Sequence, residues 1–174
     1  RLSKTPHLTV GLSDDSAPIA GRMRTLFELK NQGDDAAFHK LTDGLRSDSV
    51  LLRHEVAYVL GQMQHRRAIP LLTRILNDES EHCIVRHEAA EALAAIGDEA
   101  ADEVLRSHAD SASPEVSDTC RLALDTLAWK RRSREQTGLG AGEDGNHPRV
   151  NGKTGPGQQK FHSVDPAPAL TSDC

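Results

Sequence analysis

The sequence predicts an all-α protein of stacked helical hairpins, a solenoid, and three observations predict it. The phrase Leu-Arg-His-Glu at Leu52–Glu55 returns as Val-Arg-His-Glu at Val85–Glu88, with His87 33 residues after His54. Each phrase is followed by apolar residues at equal offsets, Val56, Val59, Leu60 and Met63 in one and Ala89, Ala92, Leu93 and Ile96 in the other. Such spacing traces one face of an α-helix, and a period of this length suits a hairpin that buries its apolar face only against the next copy. The apolar series then comes back 31 residues on, in Val116, Cys120, Ala123, Leu124 and Leu127, with Asp118 and Thr119 where His and Glu stood. Packing therefore repeats without the polar pair, so the pair serves something other than packing.

Composition narrows the function. The 174 residues are 37% apolar but only 3% aromatic, as fits close helices filled by Leu, Ala, Val and Ile. A net charge of −5 and scarce aromatics argue against a nucleic-acid partner. No run approaches the ~18 apolar residues of a membrane span, and no secretory signal is evident, so a soluble, cytoplasmic protein is expected. Cys83, Cys120 and Cys174 form neither a disulfide framework nor a Cys-x-x-Cys site, in keeping with a reducing compartment. The start at Arg1, without Met, is expected of a fragment or a processed product.

In chain order, residues 1–16 read as an irregular lead-in, with Pro6, Gly11 and the Ser13–Ser16 cluster. Helices are expected from about Pro18 to Asn31, with Ile19, Met23, Leu26 and Phe27 on one face and Gly33 ending it, and from about Asp34 to Arg46. In this first hairpin the counterparts of His54 and Glu55 fall among Gly21, Arg22, Met23 and Arg24, so it lacks the chemistry. The second hairpin is Ser49–Gln64 with Arg67–Asn77, and the third Cys83–Ile96 with Glu99–Ala109, capped by Asp98. A fourth helix opens with Ser113 as N-cap and Pro114 at the first helical position. Its basic end, Lys130–Arg132, reads as a solvated helix terminus meeting the macrodipole. The repeat domain thus covers 17–132, and the Gly- and Pro-rich 133–174 reads as a flexible tail or linker.

The His-Glu pairs offer imidazole and carboxylate, the ligands of iron, manganese and zinc, and non-haem iron commonly takes two His and one carboxylate with positions left open. The plainer alternative is a helix-dipole or capping arrangement at two helix starts. Two pairs in register, each preceded by Arg and absent from the flanking hairpins, weigh toward a site. Arg53 and Arg86 either order the carboxylates or face solvent. His39, His65, His82 and His108 lack a repeated partner and read as surface or capping residues. Cys83 and Cys120 read as small apolar residues rather than redox centres.

Leu52–Met63, Arg67–Pro70 and Val85–Leu93 resemble deoxyhypusine hydroxylase, as does Ser163–Pro168, which is similar to the stretch where that family's linker meets its second half. The family is a HEAT-repeat enzyme of two similar halves with two His-Glu motifs each, and this chain is similar to the N-terminal half plus the linker. The resemblance implies a non-haem di-iron monooxygenase that uses O2 to hydroxylate the deoxyhypusine side chain of eukaryotic translation initiation factor five-A. It implies His54, His87 and Glu88 as ligands of one Fe2+, a second iron held by the missing C-terminal half, and Glu55 left to hold the substrate's cationic amine. Glu91, four residues after His87, is a rival carboxylate ligand. The chain alone would then bind at most one iron and turn over nothing. The competing class is a HEAT-type interaction scaffold with structural or vestigial His-Glu pairs.

Overall fold

The computed structural model describes residues 10–137, and among them there are seven α-helices, three single-turn 3₁₀ helices and no strand. The helices are α1 (Ile19–Gln32), α2 (Asp35–Asp43), α3 (Val50–Met63), α4 (Ile69–Asn77), α5 (Cys83–Ile96), α6 (Asp102–His108) and α7 (Pro114–Thr137). The expected all-α hairpin architecture is borne out, and the bounds of α5 coincide with those read from the sequence. The chain divides into two compact units between Val59 and Leu60, within α3. The proposed linker from residue 138 onward lies outside the described residues. No helix among them is long and apolar enough to cross a membrane.

In the first unit α1 packs on α2. Gly33, at φ 63°, ends α1 as expected and donates its N–H to the Leu29 carbonyl at 3.1 Å. Asp34 caps α2 by accepting from the Ala37 N–H. The buried side of α1 differs from expectation: Arg22, Thr25, Leu26 and Leu29 face inward, while Ile19 and Phe27 are exposed. The reason is polar. Arg22 is drawn into the interior by Asp15, by the Ser47 hydroxyl at 2.9 Å and by the Leu12 carbonyl. Asp15 also accepts from Ser47 Oγ at 2.6 Å and from the Asp48 N–H at 2.9 Å, so one carboxylate ties the lead-in to the start of α3.

These bonds lower the Asp15 carboxyl from 3.8 to about 2, the Ser47 hydroxyl first, then the Asp48 N–H, and then Arg22 against a counteracting desolvation. A depressed folded-state value stabilises above the unfolded value and is lost as pH falls through the folded one. Acid melting curves of the chain should therefore steepen below the 3.8 reference value, and Asp15→Asn should flatten that limb. An unchanged acid limb in the variant would exclude the clasp as its source.

In the second unit α5 packs against both α4 and α7, and α6 packs on α7. Its core holds Leu60, Leu72, Leu76, Val85, Ala89, Leu93, Leu105, Val116, Cys120 and Leu127. Gly97, at φ 74°, closes α5. Lys130 is not solvated at the end of its own helix. Its Nζ reaches back to the Ala94 and Ala95 carbonyls at 2.8 and 2.7 Å, so this cation meets the negative end of α5 instead of α7. Arg131 bonds Asp102 at 2.7 Å, and α7 continues to Thr137, past the boundary expected at residue 132. A helix that carries interhelical anchors on its last basic turn has reason to persist beyond it. Cys83 is buried, and Cys120 is a free thiol that burial pushes up to about 11, a poor nucleophile.

Candidate metal centre

The start of α5 is set by His82, whose ring nitrogen accepts from the Ile84 N–H at 3.3 Å. His65 plays the same part before the turn Arg66–Ala68. These two histidines therefore cap, as their lack of a repeated partner suggested. His87 and Glu91 then fall one turn apart on the same side of α5, with Glu88 beside them. One ligand atom from each of His87, Glu88 and Glu91 lies within 4.8 Å of the others. His87 Nε2 is buried, makes no hydrogen bond, and stands 3.6 Å from Glu91 Oε1. Glu88 has no solvent exposure, which for a carboxylate is rare without a compensating charge or ion.

This arrangement fits a metal. Ligands on one ion at ~2.1 Å lie at most ~4.2 Å apart, so the loosest pair has to close by only about half an ångström. A buried imidazole nitrogen beside two carboxylates is a donor set for divalent iron, manganese or zinc. His54 and Glu55, on α3 in the first unit, hold their own Nδ1–Oε1 contact at 3.5 Å, with side chains 15% and 25% exposed.

The surroundings of His87 contain groups that the sequence reading did not connect to it. Thr119 Oγ1, from α7, stands 2.6 Å from His87 Nδ1. Asp118, its neighbour, is exposed and pairs with Arg121 at 3.2 Å. Glu115 also feels His87. Its carboxyl is held below the usual range, first by the Ser113 hydroxyl at 2.7 Å, then by its own N–H and by the nearby imidazole. That hydroxyl donates to Glu115, while the Ser113 carbonyl accepts from Val116 and Ser117.

The arginines of the two phrases do something else. Arg86 is buried and donates from Nε to the Leu76 carbonyl at 3.1 Å, at the end of α4. Arg53 donates to the Ser47 carbonyl at 2.7 Å, and Arg22, 31 residues before Arg53, donates to Leu12. Three hairpins in succession thus use an arginine to satisfy a carbonyl of the preceding segment. Arg belongs to the fold, whereas His and Glu occur only in the second and third hairpins.

A family model described as HEAT repeats matches residues 5–82 and 38–125. The chain belongs to the HEAT-repeat family. Within that family its relatives include deoxyhypusine hydroxylases. The Gallus gallus protein is 40% identical over 157 residues, covering 90% of this chain and 46% of its own length. The Homo sapiens protein matches with the same identity and coverage, and the Drosophila melanogaster protein is 36% identical over 162 residues, covering 93% and 47%. The solved structure of human deoxyhypusine hydroxylase in complex with glycerol superposes with a TM-score of 0.68 at 41% identity, covering 79% of this chain and 46% of that one. The chain thus spans about half the length of the curated relatives it matches.

Proposed function

We propose that this chain is the N-terminal half of a deoxyhypusine hydroxylase, an iron-dependent monooxygenase acting on the deoxyhypusine side chain of translation initiation factor five-A. The observation that carries the reading is the cluster of His87, Glu88 and Glu91 around a buried imidazole nitrogen that makes no hydrogen bond. Its support is the similarity to relatives of that name over nine-tenths of the chain. His87 and Glu88 would hold the metal, with Glu91, one turn from His87, on the same side of the helix. The repeated phrase names His54, in the other unit, as a further candidate ligand. When bound, ferrous iron with open positions supplies the activation of O2 that an unactivated C–H requires.

The remaining work falls to the chain. Glu55 repeats like a ligand yet exceeds the three side chains one iron needs, and a half-buried carboxylate is the natural partner of an alkylammonium. It orients the substrate amine. The buried apolar side of α5, with Ala89, Ala92 and Leu93, keeps bulk water from the metal's inner side. The second metal and its ligands belong to the C-terminal half that the relatives' greater length provides for.

Purified chain loaded anaerobically with ferrous iron should take up about one equivalent or less and hydroxylate no deoxyhypusine substrate by itself. Joined to the complementary half and given O2 and a chemical reductant, it should turn over. In that complete protein, Glu55→Ala should keep its iron and bind the deoxyhypusine-bearing factor at least ~10-fold more weakly. Iron loss from Glu55→Ala as severe as from His54→Ala would defeat the division of labour, and iron binding unchanged in both His54→Ala and His87→Ala would leave the interaction scaffold as the better reading.

A further inference from the structure

We propose that Thr119 is the positioning residue of His87: it accepts the Nδ1–H, fixing the tautomer that leaves the Nε2 lone pair free for a metal. The inference rests on the metal reading for its purpose but not for its geometry. Thr119 lies on α7, 6% exposed, with Oγ1 at 2.6 Å from His87 Nδ1. A neutral imidazole carries one N–H, on one nitrogen or the other. The competing tautomer would place that N–H on Nε2, which is buried and has no hydrogen bond, with Glu91 Oε1 too far away at 3.6 Å. A buried donor without an acceptor is the costlier outcome, so the proton belongs on the side that has the hydroxyl.

Position matters as much as protonation. Thr119 is β-branched and seated in a helix, which leaves its hydroxyl two main rotamers, and in one of them it reaches His87 Nδ1. The ring is held from behind by α7 while its other nitrogen faces Glu88 and Glu91 on α5. Outer groups of this kind typically set metal affinity by 10–100-fold. In the repeat register Thr119 occupies the position of Glu55 and Glu88. The last hairpin has thus kept the site of the motif's carboxylate for a neutral acceptor that serves the histidine before it.

The test is made on the full chain with ferrous iron alone as probe. Nitrogen-15 spectra of the metal-free chain should show His87 protonated at Nδ1, and Thr119→Val should erase that preference while Thr119→Ser keeps it. Iron affinity should fall ~10–100-fold in Thr119→Val and recover in Thr119→Ser. Wild-type His87 protonated at Nε2, or Thr119→Val binding iron as the wild type does, would overturn the proposal. Were the wild-type chain to bind no iron at all, the metal reading would fall, and the tautomer measured without metal would still decide the role of Thr119.

Discussion

The His87→Ala chain is expected to melt at the same temperature with and without ferrous iron, whereas the wild-type chain melts higher in its presence. A ligand that binds only the folded state stabilises it by RT ln(1 + [L]/Kd), about 2.7 kcal/mol at a free concentration 100 times Kd. In a domain this small each kcal/mol is worth several degrees. The substitution itself removes a hydrogen bond and leaves buried Thr119 without that partner, at about 1–3 kcal/mol. The iron response is the difference between two melting curves of the same variant, so this change in the metal-free chain cancels from it. His65→Ala, which removes a cap and no candidate ligand, should keep the full iron shift. An iron-induced rise surviving in His87→Ala would place the metal elsewhere. Glu88→Gln extends the argument: it keeps the volume of a fully buried side chain and discards the charge that a cation would meet, so the iron-induced rise in melting temperature should collapse in this variant too.

The periodic part of this molecule was legible. Apolar offsets locate the helices, Gly33 and Asp98 fix an end and a beginning, and the doubled phrase points to His87 and Glu88, which lie beside Glu91. What escaped was the choice of partner between helices. Arg22 turned the inner side of α1 by one residue because a guanidinium with three acceptors outweighs the exposure of Ile19 and Phe27, and periodicity counts Arg as polar wherever it sits. Lys130 looked like the end of its own helix and is the cap of another. In the sequence Thr119 is visible only as the absence of a glutamate. A repeat register does tell which positions recur on equivalent turns, and asking what Thr119 faced in the hairpin before it would have led to His87. Sequence spacing states who shares a side of one helix; it does not state who meets across two.

The last expectation concerns Gly61, where two local rules disagree. It lies inside α3, and alanine there improves helix propensity by about 1 kcal/mol. A Cβ at Gly61 would, however, stand 2.8 Å from both Cα and Cβ of Ala92 on α5. Contact with a backbone atom cannot be relieved by turning a side chain, so the helices have to separate, and overpacking of this kind costs about 1–3 kcal/mol. The steric effect wins: Gly61→Ala should lower the melting temperature, and Gly61→Val should lower it further. Ala92→Gly placed on Gly61→Ala removes one of the two clashes and should restore part of the loss, a coupling that a double-mutant cycle measures. The consequence reaches the site, because Ala92 directly follows Glu91. Displacing α5 there loosens the spacing among His87, Glu88 and Glu91, so iron affinity should fall together with stability. Were Gly61→Ala to melt above the wild type, propensity alone would govern this position, and the close approach of α3's last turn to α5 would not be what seats the metal centre.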